Sequence, residues 1–366
     1  MLKEIYIDNY RRFLNAKISF GRTVLIAGKN GTGKTSLVAL LEKIKRFIVN
    51  TDSTGHIAEL VSVNDIPRWQ KADRGTAETH FILTFDTDEA IYAYELKIQY
   101  NLAESKCRVL CEKLILAGNA VYEFILEKKE NEAVVMTDDN RQFTYGVDWS
   151  HSGLVIASRV NSKIRQFITE INTHLCVFIL APDDKTPGTV TAELSLSGNN
   201  FSRWYAAMLT RNIEVAADVL VSYKNFIKNI DRAFINDKTG EFTISEQSEG
   251  KQKFEIGFSE LSTGQQKLCI YYALFKMLPD GATLVFDEFE NHLSPAELQP
   301  LYDLAQSEQD ERDLQIILVS HHHKTLNWYH DAALVFSLSG TPAHSKIDVF
   351  NPDTAGATLE QYLEDE

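Results

Sequence analysis

Apolar positions along the chain switch between two periods, and the switches mark out the elements. Thr23-Val24-Leu25-Ile26-Ala27 is a continuous apolar and β-branched run. A glycine-rich stretch follows, then Leu37, Leu40, Leu41 and Ile44 on one helical face. That order predicts a buried strand, a tight loop and an amphipathic helix reaching about Ile48. Two shorter strand patterns precede it, Glu4–Asp8 and Ala16–Phe20. Residues 49–77 are polar, with the turn cluster Thr51-Asp52-Ser53-Thr54-Gly55, and predict a loop or mobile lid. Alternation at period two then predicts an antiparallel meander of His80–Phe85, Ile91–Tyr100, Cys107–Leu116 and Val121–Leu126.

Helical spacing returns over Ser158–His174, before a short strand at Cys176–Leu180 and a loop with Pro182 and Pro187. Helices are expected over Asn200–Thr210 and Glu214–Phe234, then a hairpin of Glu241–Glu246 with Lys253–Phe258. The last hundred residues alternate as in a parallel sheet. Expected there are a helix over 264–278, a strand over 282–287, a helix over 295–307, and strands at 314–319, 333–338 and 345–350.

The stretch Gly28-Lys29-Asn30-Gly31-Thr32-Gly33-Lys34-Thr35 fits the phosphate-binding loop at every fixed position, in the strand–loop–helix context that such a loop requires. Its glycines let backbone N–H groups turn inward onto phosphate oxygens, where the helix N-terminus adds partial positive charge. Lys34 suits the β- and γ-phosphates and the Thr35 hydroxyl suits Mg²⁺, with Ser36 completing the set. A nucleoside triphosphate is the implied ligand.

Three further segments carry chemistry. Leu261-Ser262-Thr263-Gly264-Gln265 opens a nearly all-apolar helix, so Ser262, Gly264 and Gln265 form either an ordinary helix cap or a second anion nest. One triphosphate does not need two nests from one subunit, so the economical geometry sets this one against the γ-phosphate of a partner. Thr283-Leu284-Val285-Phe286-Asp287-Glu288 is a buried strand ending in two acids. Asp287 suits Mg²⁺ and Glu288 suits the attacking water, although acids at strand ends are also common without any such role. Leu314–Val319 is another buried strand, and it runs into Ser320-His321. His321-His322-His323 invites a metal, but adjacent residues on extended chain point to opposite sides, so at most two could share one.

Composition narrows the partners. A formal net charge of −14 argues against a surface that is basic throughout, as a dedicated nucleic-acid binder would show. Arg203, Arg211, Lys224, Lys228 and Arg232 could still form a local stripe. Cys107 and Cys111 have no second close pair to complete a zinc site, so reduced thiols in a cytoplasmic protein are expected. No apolar run approaches the roughly 18 residues of a membrane span, and the N-terminus reads as a strand rather than a targeting segment.

Taken in order, the four segments resemble an ABC-type ATPase head of the SMC-like group, the branch shared with DNA-repair ATPases and the OLD-like anti-phage ATPases. The resemblance implies Walker A at Gly28–Thr35, the ABC signature at Leu261–Gln265, Walker B at Leu284–Glu288 and a switch histidine at His321. Asn291–Pro295 resembles the D-loop of the OLD-like branch, with Phe289 where relatives often carry proline. Tyr6–Phe13 and Pro182 through Asn200-Phe201 also resemble that branch. The implied fold is α/β: a P-loop NTPase of ABC-ATPase type with a mixed central sheet, an antiparallel β subdomain and an inserted helical lobe. The expected segments are 1–185, an N-terminal ATPase lobe; 186–260, a helical signature lobe; and 261–366, a C-terminal ATPase lobe. The implied ligands are ATP and Mg²⁺, and the implied assembly is a homodimer or higher homo-oligomer. OLD-like nucleases also carry a Toprim domain, for which too few residues follow His321. A separate effector, a nuclease or toxin, is therefore expected in an anti-phage setting. The alternative is a DNA-repair or DNA-organising ATPase that clamps duplex.

Overall fold

The computed structural model describes residues 1–49, 55–67, 69, 76–87, 90–126, 131–181, 193–211, 213–224, 226, 227, 229–247, 253–321, 325, 326, 330–340, 343–351, 358, 359, 361 and 363. The chain forms two compact units, one of Met1–Cys176 with Gln315–Glu366 and one of Val177–Leu314. This is not a division into consecutive segments. The chain returns to the first unit at Gln315 because its late strands pair with an early one.

That early strand is β3 (Thr23–Gly28), preceded by β1 (Leu2–Asp8) and β2 (Ala16–Ser19). β3 lies between β15 (Gln315–Val319) and β16 (Ala333–Ser339), parallel to both, with β17 (His344–Val349) antiparallel on the far side of β16. β15 is buried at all five positions, and β3 at all but the first. Such burial is what a parallel strand covered on both faces demands, and it explains the unbroken apolar runs. Gln315 is the polar exception. Its buried amide accepts from Leu2 N at 2.8 Å and donates to the carbonyls of Leu2 and Gly21 at 2.8 and 2.7 Å. The start of β15 is thereby stitched to the N-terminal strands.

An eight-stranded antiparallel sheet makes the rest of this unit, ordered β2-β1-β4-β5-β6-β7-β8-β9. Its later members are β4 (Thr76–Asp86), β5 (Ile91–Asn101), β6 (Lys106–Leu116), β7 (Asn119–Ile125), β8 (Glu132–Met136) and β9 (Gln142–Gly146). The meander thus extends two strands further than its alternation predicts. β9 is largely exposed, so its sequence carries no one-sided apolar stripe.

α1 (Lys34–Val49) follows the glycine loop and packs on α4 (Ser162–His174). The helix expected from Ser158 starts only at Ser162, and a separate short helix, α3 (Leu154–Ala157), precedes it. Asn161 makes the break: it is extended (φ −136°), its carboxamide oxygen accepts from Ile164 N at 3.0 Å, and its Nδ2 donates to the Met136 carbonyl at 2.6 Å. Phe167 of α4 inserts among Phe85, Tyr92 and Tyr94 of the meander, with ring centroids 5.8, 5.2 and 6.3 Å away. The described part of the expected loop at 49–77 is packed rather than free. It forms α2 (Ile57–Leu60), with Ile57, Leu60, Val61 and Ile66 buried.

The second unit begins within β10 (Leu175–Phe178) and holds α5 (Phe201–Arg211), α6 (Ile213–Tyr223), α7 (Thr263–Met277), β14 (Thr283–Asp287) and α8 (Pro295–Arg312). The helix expected to reach Phe234 stops at Tyr223, and Ile230–Ile235 is instead β11, paired with β12 (Phe242–Gln247). β12 pairs in turn with β13 (Lys253–Gly257). The β-branched and aromatic residues of β11 meet partners there that a continued helix would not supply. Phe201, Tyr205, Phe242 and Phe258 form the local core, with centroids from 4.8 to 6.2 Å. At the C-terminus of α7, Arg312 donates to the carbonyls of Phe275 and Leu278 and pairs with Asp280 at 2.7 Å. It thereby satisfies carbonyls that a helix end otherwise orphans.

Within the meander, buried Glu112 accepts from Tyr94 Oη at 2.9 Å, Ser152 Oγ at 2.5 Å, Tyr122 Oη at 3.0 Å and Gly153 N at 2.9 Å. Burial pushes its carboxyl pKa up, the four donors pull it down, and it stays above the ordinary glutamate value. A folded-state pKa above the unfolded one costs stability as pH rises through the gap. Glu112→Ala, which orphans four donors and opens a cavity, should lose about 3–5 kcal/mol in urea denaturation. Glu112→Gln should lose less, and its deficit against wild type should shrink as pH is raised from about 4.3 to neutrality.

Candidate functional site

The glycine loop leaves the carboxyl end of β3, where ligands of open α/β sheets collect. Gly28 has φ +142° and pairs in register with Phe336 of β16. A Cβ at Gly28 would stand 2.1 Å from the Phe336 carbonyl oxygen, so no other residue fits. Gly31 and Gly33 also hold positive φ, 80° and 111°. Lys29, Asn30 and Thr35 are exposed, Ser36 is half-buried, and Thr32 Oγ1 donates to the Lys29 carbonyl at 2.9 Å. Lys34 is 5% exposed, and its ammonium donates to the carbonyls of Gly28 and Lys29, each at 2.8 Å. The cation thus sits inside the curl of its own loop, and open space surrounds the Cβ position of Gly31. That cradle fits a phosphate chain, and the exposed Thr35 hydroxyl fits a hard cation beside it.

Two supports were not legible as such. Ser345 of β17 donates through Oγ to the Thr32 carbonyl at 2.6 Å and through N to the Arg12 carbonyl at 2.8 Å. Arg11 reaches Ser36 Oγ at 3.2 Å and Asp65 at 2.7 Å, and Lys43 closes on the same carboxylate at 3.2 Å. Burial raises the Asp65 pKa, but hydrogen bonds from Arg11 and Ser62 and the Lys43 charge outweigh it and hold it below the ordinary aspartate value. Neither Arg11 nor Ser345 belongs to a spacing pattern that would single it out.

His321 follows Ser320, whose N–H donates to the Ile26 carbonyl at 3.2 Å and continues the β15–β3 ladder. The histidine is exposed and leaves its strand at the same end of the sheet as the glycine loop. His322 and His323 lie outside the described residues, as do Pro182, Pro187 and Lys228. Among the described residues no group of three or more His, Cys, Asp or Glu is arranged to hold a metal, and all four cysteines are buried and outside any disulfide.

In the second unit, Ser262 caps α7 reciprocally. Gln265 N donates to Ser262 Oγ at 3.3 Å, and Ser262 N donates to Gln265 Oε1 at 3.1 Å. The cap uses the hydroxyl as an acceptor and leaves its proton directed elsewhere. At Gly264 a Cβ would lie 2.5 Å from the His292 carbonyl oxygen, which fixes glycine there. β14 is buried throughout and ends at Asp287, 4% exposed, while Glu288 turns out to solvent. Glu288 has φ +52°, a left-handed conformation costing a non-glycine residue about 1 kcal/mol. Asn291 sustains it, donating through N to the Glu288 carbonyl at 3.1 Å and through Nδ2 to Glu288 Oε2. Phe289 is fully buried against Tyr271, Phe286 and Tyr302, with centroids at 4.6, 5.3 and 5.6 Å. An aromatic anchor thus holds this turn. Of the basic candidates, Arg232 is engaged by Glu255 at 2.8 Å and lies 4.3 Å over the Phe234 ring.

A glycine loop between a buried parallel strand and a helix defines a P-loop NTPase, and the fold is like that of an Smc head. A family model described as "AAA domain, putative AbiEii toxin, Type IV TA system" matches residues 24–327. The chain belongs to that family. Among solved structures, the Smc head bound to the C-winged helix domain of ScpA is 13% identical with a TM-score of 0.51, covering 99% of each chain. The SMC head domain from Thermotoga maritima is 14% identical with a TM-score of 0.46, covering 96% of this chain and 99% of that one. Likeness at such identity is one of fold. The tRNA modification GTPases MnmE of Prochlorococcus marinus strains MIT 9312 and AS9601 are each 32% identical over 133 residues, 32% of this chain. This chain spans 28% of the length of those curated relatives.

Adding a methyl group at Gly31, where φ is +80° but space is open, should cost about 1 kcal/mol. Gly28→Ala should cost about 3 kcal/mol or more, through overpacking against β16, and abolish nucleotide binding. Thermal melts and fluorescent-nucleotide titration of the two variants would check both.

Proposed function

We propose that this chain hydrolyses ATP, pairing head to tail with a second copy around two nucleotides, and that its nucleotide state controls a separate effector protein. The observation that carries the reading is the exposed Glu288 carboxylate, held in a costly left-handed turn directly after a buried aspartate. Strain of that kind persists only where the surrounding structure over-determines it, and it clusters at active sites. In this reading Gly28, Lys29, Asn30, Gly31, Thr32 and Gly33 present backbone to the phosphates, while Lys34 and Ser36 complete the grip. Thr35 and Asp287 are assigned to Mg²⁺, and Glu288 orients the attacking water and accepts its proton. Bound Mg²⁺ would supply charge neutralisation at the phosphate oxygens. Ser262, Gly264 and Gln265 complete the partner's site, Ser262 through the proton that its cap leaves available. His321 reports the γ-phosphate.

The effector half of the proposal draws on the family's description, which names a type IV toxin–antitoxin system and so a second component beside this one. A nuclease or other toxin held or released during anti-phage defence is the class of partner expected. Direct clamping of duplex DNA gains no support from Arg232 on β11, which is already paired with Glu255, or from the net charge of −14.

Glu288→Gln should lower turnover by about 10²–10⁴-fold while ATP still binds. Unchanged turnover removes Glu288 from the mechanism. Mixing Ser262→Arg with Lys34→Ala subunits should restore one composite site in each mixed dimer, and no recovery between folded subunits argues against pairing in trans. Affinity purification of the Glu288→Gln protein with Mg²⁺ and ATP, against Lys34→Ala, should retain a stoichiometric protein partner. Retained duplex without such a partner would favour the DNA clamp.

A further inference from the structure

The turn Tyr10–Phe13, between β1 and β2, meets the glycine loop and the start of α1 at three points. It closes on itself through Tyr10 N to the Phe13 carbonyl at 3.2 Å and Phe13 N to the Tyr10 carbonyl at 2.8 Å. Arg11 donates through a terminal guanidinium nitrogen to Ser36 Oγ at 3.2 Å. The Phe13 ring lies 3.1 Å from where a Cβ of Gly33 would stand. The third point runs through Ser345, whose N–H holds the Arg12 carbonyl at 2.8 Å and whose hydroxyl holds the Thr32 carbonyl at 2.6 Å.

The turn needs support of its own. Arg11 has φ +51°, left-handed backbone that costs a non-glycine residue about 1 kcal/mol. Asp65 braces it twice: its carbonyl accepts from Arg11 N and its Oδ1 from Arg11 Nε, each at 2.7 Å. Its Oδ2 accepts from Ser62 N at 3.0 Å, Ser62 Oγ at 2.9 Å and Lys43 Nζ at 3.2 Å. Asp65 is 1% exposed, so its carboxylate is satisfied wholly within the protein. Ser36 and Lys43 stand two turns apart on α1 and share a face. The one carboxylate thus acts on that face at two places, directly at Lys43 and through Arg11 at Ser36. The two arms differ in where they end. Lys43 also reaches the Leu60 carbonyl at 3.4 Å, on the side of α1, whereas the Arg11 arm ends on the residue after Thr35.

We propose that Asp65 is a positioning residue for nucleotide binding, holding Arg11 in its left-handed turn so that the guanidinium fixes Ser36 and the loop's exit into α1. Asp65 acts through Arg11 and touches no ligand, and Lys43 serves the fold alone. The inference rests on the nucleotide-binding part of the reading above, but its structural half is independent of any ligand.

The test is fluorescent-nucleotide titration well below the melting temperature of each variant. Asp65→Asn, close in volume but uncharged, should weaken binding by about 5–30-fold. Lys43→Met removes the other cation from the same carboxylate. It should lower the melting temperature yet change Kd by less than about twofold. Arg11→Lys keeps the charge but cannot fork between Asp65 and Ser36, so it should weaken binding about as much as Asp65→Asn. The double variant should lose less than about threefold beyond the weaker-binding single one, because both act on one contact. Unchanged affinity in Asp65→Asn, an equal loss in Lys43→Met, or a full multiplicative loss in the double variant would overturn the proposal. Should Asp65→Asn not fold, the contrast between Arg11→Lys and Lys43→Met decides in the same way.

Hydrogen exchange without nucleotide supplies the second readout. The Leu37 amide, which donates to the Gly33 carbonyl at 3.0 Å, should exchange at least about tenfold faster in Asp65→Asn. Unchanged exchange there would also overturn the proposal. If wild type and Lys34→Ala bind ATP equally poorly, the nucleotide reading fails, and exchange still decides the role of Asp65.

Discussion

The approach of two backbones at Gly28 constrains everything around it. Because β3 and β16 run parallel with Gly28 opposite Phe336, the chain has no room for a side chain where it leaves the sheet. It must therefore turn away into the loop whose amides and lysine form the cradle. The same pairing sets the direction of α1 and, through β15 on the other side of β3, delivers Ser320 and His321 to the same end of the sheet. A single strand sandwiched between two parallel neighbours thus orders both the binding loop and the histidine assigned to sense its ligand.

Much of this was legible because the residues involved have little freedom to be anything else. Buried parallel strands leave continuous apolar runs, and β3, β14 and β15 each stand out for that reason. The glycine loop was legible for a related reason, since positive φ and backbone contact at Gly28 admit only glycine. Misreadings fell where a local signal competes with a distant partner. Ile230–Ile235 continues a helical spacing, yet its register with Phe242–Glu246 decides its state. Asn161 breaks a periodic stretch by bonding to Met136, from a strand that the alternation does not reveal. In the site, Ser345, Arg11 and Asp65 act through hydrogen bonds between residues far apart in sequence, which no motif records.

The Leu261–Gln265 segment joins an ordinary capping role to the proposed role at a partner's site. Ser262 and Gln265 make an ordinary capping box, sufficient by itself to explain a serine before an apolar helix. Its setting is less ordinary. Gly264 is fixed by contact with the His292 carbonyl, and Arg312 ties off the carbonyls at the far end of the same helix. With both ends capped and most of its length buried, α7 has little scope to fray. A helix so constrained moves as one body if it moves at all.

The position of β3 between two strands from the far end of the chain also bears on synthesis. A nascent chain emerging from the ribosome presents β3 long before Gln315–Val319 and Ala333–Ser339 exist to flank it. Domains made of contiguous sequence can fold as they emerge, but this sheet cannot complete itself until residues 315–339 have been made. Until then the apolar strand is an open template for mispairing or for chaperones. A sheet able to carry the glycine loop therefore arrives late, which ties any ATP-gated partner to chains that have reached β16 and excludes products truncated before it.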